Sequence, residues 1–413
     1  MSTPALLDPY DYAFQDDPYP VYARLRAEQP LHHNPEQDFW ALTRHTEVSA
    51  AFRDEGTFSN EMGVSIDNGA WGPHAHRIMS FLALDGKRQQ RLRSLVSRAF
   101  TPRRVRELAP RVQQLADHYL DAALVHGEEH DWIADVAGRL PMDVISEMMG
   151  VPVEDRDEVR RHADLLVHRE DGLRDIPAAA ADSFLHLVGY YADMLEQRRT
   201  RPTDDLTSAL IAARLDGGDR LADEEIIAFL TLMVVAGNET TTKLLGNALF
   251  HLAADRRQLD EVLSGPSGSP DLVAPWIEET LRHDNSTQML ARHLLRPVEV
   301  EGVTAPAGAK LLLVLGSANR DETVFTDPAR FDLHRAPAEL ARSVSFGGGR
   351  HFCLGANLAR LEARIVLEEL VRRVASFEVD VDRARRVHSV SVRGFASLPV
   401  TVHLRPGRPG ADR

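Results

Sequence analysis

The sequence predicts a mainly α fold with small β-sheets, built as one large domain. Apolar residues recur at three- and four-residue spacing over long stretches, and strand-like runs are few and short. No shift of composition divides the 413 residues into two parts. Helical spacing covers 105–124, 157–168, 178–198, 223–254 and 357–373. The best strand runs are 39–43, 298–300, 310–315 and 398–404. Residues 264–270 (Ser-Gly-Pro-Ser-Gly-Ser-Pro) read as a loop. The expected domain is 1–404, followed by a disordered tail, 405–413.

Composition narrows the function. Apolar residues make up 43% and charged residues 27%, as in ordinary globular proteins. A net charge of -14 argues against nucleic acid as a general partner, since phosphate binding needs a basic surface. No signal peptide or membrane span is visible, so the cytoplasm is the expected compartment. One cysteine, Cys353, excludes an internal disulfide, a multi-cysteine zinc site and a protein-held iron–sulfur cluster. A lone cysteine is most often a small buried hydrophobe, so its neighbours decide its role.

Those neighbours read Ser345-Phe346-Gly347-Gly348-Gly349-Arg350-His351-Phe352-Cys353-Leu354-Gly355. Three consecutive glycines permit close approaches that side chains block. A helical pattern follows, so the sulfur sits at or just before a helix N-terminus. Unpaired N–H groups and the positive dipole end favour a thiolate there. A phosphate cradle is one alternative, but no Lys-Ser or Lys-Thr pair follows. A cysteine hydrolase is another, and its chemistry has no use for three glycines and an aromatic at this spacing.

Phe346, Gly349, Cys353 and Gly355 fall on the pattern Phe-x-x-Gly-x-x-x-Cys-x-Gly. By this signature the chain resembles the cytochrome P450 family in its soluble bacterial form. The likeness runs from Asp17-Pro18-Tyr19-Pro20 to Leu398-Pro399-Val400. It implies a single-domain fold enclosing haem b, with the iron held by the Cys353 thiolate and Phe346, Gly347 and Gly355 against the cofactor. Such a thiolate pushes electron density toward O–O cleavage.

Within 223–254 the sequence Ala236-Gly237-Asn238-Glu239-Thr240-Thr241-Thr242 is a poor helix interior. Threonine hydroxyls can bond back to carbonyls four residues earlier and bend the helix. The resemblance makes this run the oxygen-binding groove. Glu239 is then the acid and Thr240 the hydroxyl beside the reacting oxygen, with Ala236 and Gly237 small enough to leave room. Asp223 reads as the N-cap, with Glu224 and Glu225 in the first turn.

Glu279-Thr280-Leu281-Arg282 places a carboxylate and a guanidinium on one helix face. By resemblance this pair is structural and engages a third residue from a later meander, which falls on Arg330. The resemblance assigns the haem propionates to His351, to Arg292 in the strand after the Glu279 helix, and to Arg93 with Gln89. Here Gln89 stands where histidine is usual, and Gly86 and Lys87 replace two prolines. A glutamine still donates to a carboxylate.

From Gly86 to Arg106 there are eight basic residues and no acidic one. Lys87, Arg88 and Arg91 are therefore expected to dock an acidic ferredoxin or flavodoxin-type donor, served by its own reductase. The chain is expected to be a monomer. His126-Gly127-Glu128-Glu129-His130 matches a metalloprotease order that requires a helix, but it reads as a loop after a helix ending near Val125.

The substrate contacts expected by position are Leu232, Val235 and Ala236, then Gln288, Met289 and Leu290, with Ser391 and Val392. Residues 58–82, including Met62, Trp71 and His74, read as a lid. The mixture suits a medium-sized, mostly apolar small molecule such as a natural-product intermediate or a steroid. The expected reaction inserts one atom of O2 into its C–H or C=C bond. A peroxide-dependent peroxygenase and a non-catalytic haem sensor are the alternatives. The acid–threonine pair argues against both.

Overall fold

The computed structural model describes residues 7–125, 129–214, 218–264 and 268–405. Its centre is the helix Asp223–Ala254, whose bounds are those the spacing predicts. Apolar residues surround it on most sides, which is the pattern of a buried helix. Leu140–Met149, Arg156–Val167, Ala178–Thr200, Val273–His283 and Ala356–Arg373 all pack on it. Its N-cap is Ala222 rather than Asp223. Glu225 closes the first turn instead, accepting from the Ala222 N–H at 2.9 Å.

The expected 105–124 helix is two helices, Pro102–Glu107 and Ala109–Val125. Pro110 has no N–H to return to the carbonyl four residues earlier, so the ladder breaks at Leu108. The other predicted helices appear as Arg156–Val167, Ala178–Thr200 and Ala356–Arg373. No helix among the described residues is long and apolar enough to cross a membrane.

Four of the predicted strands form within a residue or two of expectation: Phe39–Leu42, Val298–Val300, Lys310–Val314 and Pro399–Leu404. The five-stranded sheet runs in the order Leu31–Asn34, Phe39–Leu42, Lys310–Val314, Met289–Leu294, Phe58–Ser59. Phe39–Leu42 and Lys310–Val314 pair in parallel, and the remaining pairs are antiparallel. Leu290 and Arg292 of Met289–Leu294 face the same cavity as the central helix.

Glu129 and His130 lie in a strand, Glu129–Asp131, paired with Pro399–Leu404. A strand cannot supply the helical face that the metalloprotease order requires; His126, Gly127 and Glu128 lie outside the described residues. The tail from 406 lies outside them too.

Candidate active site

One internal cavity lies between the central helix, the strand Met289–Leu294 and the glycine-rich loop before Cys353. It encloses about 1420 Å³ of empty space, mouth included. On the helix, Leu232, Ala236, Thr240 and Leu244 line it, with Met233, Gly237 and Thr241 beside them. Their four-residue spacing puts them on one face. On the strand, Leu290 and Arg292 line it, as the two-residue alternation requires. Phe81, Phe100, Ile145 and Leu281 complete mostly apolar walls.

The opposite wall is the loop. Gly347 and Gly349 have φ of 68° and 60°, in the left-handed region. A Cβ on Gly349 would come 2.2 Å from the Phe52 carbonyl oxygen, so the close approach requires glycine. The Cys353 N–H donates to the Phe346 carbonyl at 2.9 Å, which closes the loop over the start of Ala356–Arg373. Cys353 is exposed and lines the cavity. Burial pushes its thiol up; the N–H groups of Gly355 and Ala356 and the charges of Arg93 and Arg360 act the other way.

Three nitrogen-bearing side chains reach this wall, those of Arg292, His351 and Arg93, and among the described residues none has a carboxylate at hydrogen-bond length. Arg292 is buried and, among the described residues, donates only to the Ala291 carbonyl, at 2.7 Å. Burial pushes its guanidinium down to about 10, partly offset by Asp85. Both ring nitrogens of His351 are buried and unpartnered, with Nε2 at 3.6 Å from Asp85 Oδ1, beyond hydrogen-bond length. Arg93 also lines the cavity, and its Nη2 donates to the Phe352 carbonyl at 2.5 Å. Unpaired buried donors around an apolar chamber fit an apolar macrocycle that carries acidic groups on one edge.

The Thr240 hydroxyl donates to the Ala236 carbonyl at 2.8 Å, the back-bond expected of a threonine in this run. The Thr240 carbonyl accepts from the Ser286 hydroxyl at 2.7 Å. Glu239 does not line the cavity. It is buried beside Lys243, with Nζ at 3.1 Å, and faces Asp164 of Arg156–Val167. Burial and the neighbouring Glu239 push the Asp164 carboxyl up. Burial alone would raise Glu239 as well, but Lys243 and the hydrogen bond from Asp164 hold it low. Asp164 is exposed, so the pair keeps contact with water.

Several expected positions fall elsewhere. Gln89 is buried but does not line the cavity; its amide donates to the Arg350 carbonyl at 3.1 Å and so braces the loop. Val235 lies about 100° round the helix from Ala236 and leaves the lining face. Gln288 and Met289 are buried outside the lining, because alternation turns Met289 away from Leu290. Ser391 and Val392 pair with the backbone of Gln288 and Thr287 and also leave it. Of residues 58–82, Asn60, Val64, Phe81 and Leu82 line the cavity, whereas Trp71 packs under Lys310.

The third member of the structural clamp is Arg335, not Arg330. Arg335 Nε reaches Glu279 Oε2 at 3.0 Å, and Arg282 Nη2 reaches Oε1 at 2.7 Å, all buried. Arg330 is exposed and contributes only its carbonyl, which accepts from Arg282 and Arg335. Arg91 is likewise committed, to Asp219 and to Glu225, the latter at 2.8 Å. Glu362, unremarked in the sequence, lines the cavity floor with Oε2 unpartnered, and burial pushes it up to about 8.

The pattern of the family described as Cytochrome P450 matches residues 271–404. A protein of Mycobacterium tuberculosis that carries the name cytochrome P450 123 is 52% identical over 401 residues, covering 97% of this chain and 98% of its own. Vitamin D(3) 25-hydroxylase of Pseudonocardia autotrophica is 37% identical, covering 96% and 97%. The crystal structure of CYP109E1 from Bacillus megaterium in complex with testosterone superposes with a TM-score of 0.85 at 28% identity, covering 94% and 98%. The fold agrees with that of CYP109E1, and the family to which these relatives belong carries a haem-thiolate cofactor. The chain belongs to the cytochrome P450 family and is a monooxygenase of that family.

Proposed function

We propose that the chain inserts one atom of O2 into a C–H or C=C bond of a medium-sized, mostly apolar molecule, using haem b held by the Cys353 thiolate. The observation that carries this is the placement of the Thr240 hydroxyl and the Cys353 sulfur on one mostly apolar cavity. A steroid or a natural-product intermediate suits the walls. The relatives support that range, one being named a vitamin D(3) hydroxylase and another holding testosterone.

When bound, haem supplies the oxygen-activating iron, and thiolate ligation favours O–O cleavage. His351, Arg292 and Arg93 would hold the propionates, with Gln89 bracing the loop beside them. Phe346, Gly347 and Gly355 shape the wall around the sulfur. Leu232, Ala236 and Leu290 position the substrate, and the apolar walls exclude water. Thr240 Oγ1 holds the proton that the reacting oxygen requires, and Glu239 with Asp164 resupplies it from water. A peroxide-dependent reaction has no need of such a route. Residues 1–404 form the catalytic unit, acting as a cytoplasmic monomer.

Electrons come from a separate acidic ferredoxin or flavodoxin-type protein. Lys87 and Arg88 are exposed on the helix Gly86–Val96, and they take the docking role from which Arg91 is withheld. The Lys87→Glu/Arg88→Glu pair is expected to slow reduction by a ferredoxin roughly 10-fold or more at low salt, and less at high salt. An unchanged rate would remove these residues from docking. Substrate class is tested by screening steroids, terpenoids and macrolides for a shift of the iron spin state. Shifts confined to small polar compounds would contradict the apolar assignment.

A further inference from the structure

Away from the cavity, two histidines and a glutamate converge between the helices Arg156–Val167 and Ala178–Thr200. Glu158 and His162 stand four residues apart on the first helix and so share a face. His186 reaches across from the second. Glu158 Oε1 lies 3.3 Å from His186 Nε2 and 3.9 Å from His162 Nε2. The three donor atoms all lie within 4.8 Å of one another. The two imidazoles stack with centroids 3.9 Å apart.

The hydrogen bonds at His162 assign its tautomer. Nε2 lies 2.9 Å from Arg161 Nη2, and a guanidinium only donates, so Nε2 carries the lone pair. Nδ1 then carries the proton and donates to the hydroxyl of buried Ser183 at 3.1 Å. A ring held from behind at Nδ1 is how proteins orient a histidine ligand, the lone pair on Nε2 being taken up here by Arg161.

We propose that Glu158, His162 and His186 form a binding site for a divalent transition-metal ion, zinc fitting two imidazoles and a carboxylate best. Zinc bonds of about 2.0–2.1 Å place tetrahedral donor atoms roughly 3.3–3.5 Å apart. The Glu158–His186 distance already matches, Glu158–His162 must close by about half an ångström, and the two imidazole nitrogens, now within 4.8 Å, by up to about 1.5 Å. Glu158, His186 and Arg161 are exposed, so their rotamers are free to adjust. His186 rotates out of the stack to converge on the ion, Arg161 swings off Nε2, and water takes the fourth position. The ion then clips together two helices that both pack on Asp223–Ala254.

Calorimetric titration of the haem-loaded protein with Zn2+ tests this. One equivalent is expected to bind, and the surface variants His186→Ala and Glu158→Gln each weaken it at least tenfold. Ser183→Ala, which touches no metal, weakens it by about 10–100-fold. The pair His74→Ala/His76→Ala, outside this cluster, leaves affinity unchanged. Added zinc raises the melting temperature of the unaltered protein and not that of His186→Ala. Zinc binding that survives His186→Ala undiminished, or no binding to the unaltered protein, overturns the assignment.

Discussion

Arg335→Ala is expected to destabilise the protein by about 3–5 kcal/mol, the usual cost of breaking a buried ion pair from one side. Glu279 is fully buried between Arg335 and Arg282, and removing one guanidinium leaves its charge half-compensated. Arg335 also donates to the Thr326 carbonyl at 2.6 Å, so the meander that leads to the cysteine loop loses an anchor. Arg330→Ala is the contrast. It removes an exposed side chain while the carbonyl that accepts from both arginines stays, so stability should change by no more than about 0.5 kcal/mol. Denaturant unfolding of the two haem-loaded variants checks the pair. Equal losses would return the clamp to Arg330.

Thr240→Ala is expected to lower productive turnover by roughly 10²-fold, the lower end of what a positioned proton donor contributes. Thr240 stands on the face of the central helix that lines the cavity, as Cys353 does on the opposite wall, and its hydroxyl is bonded back to the Ala236 carbonyl. Without it electrons should still be consumed, but they should appear as peroxide rather than product. Asp164→Asn should reduce turnover in the same direction with substrate affinity unchanged, since Asp164 touches Glu239 and not the cavity. Product, peroxide and electrons consumed, measured together, check both. Full coupling in Thr240→Ala would remove the residue from proton delivery.

The parts legible in the sequence are those fixed by local pattern. The helix 223–254 was readable to the residue because an apolar surface on most sides leaves no other stable element. The cysteine loop was readable because its positive-φ and close-contact positions demand glycine in a short window. Some errors had a correcting signal in the same sequence. If Arg292 faces the cavity, strand alternation places Leu290 beside it and turns Met289 away. Likewise a face holding Ala236 and Thr240 takes in Leu232 and Leu244 and leaves out Val235.

Other features carried no such signal. Arg330 and Arg335 are both arginines of one meander, and only the turn of the chain decides which enters the buried clamp. Asp164 meets Glu239 across two helices distant in sequence, and Arg91 is taken up by Asp219 and Glu225 in the same way. Long-range ion pairing is where pattern ends.

The claim on which the rest depends is that Cys353 holds haem iron as a thiolate. The reduced protein under carbon monoxide should show the red-shifted Soret band of thiolate ligation, and Cys353→His should bind haem yet lose that band. A red-shifted band that persists in Cys353→His would contradict the assignment.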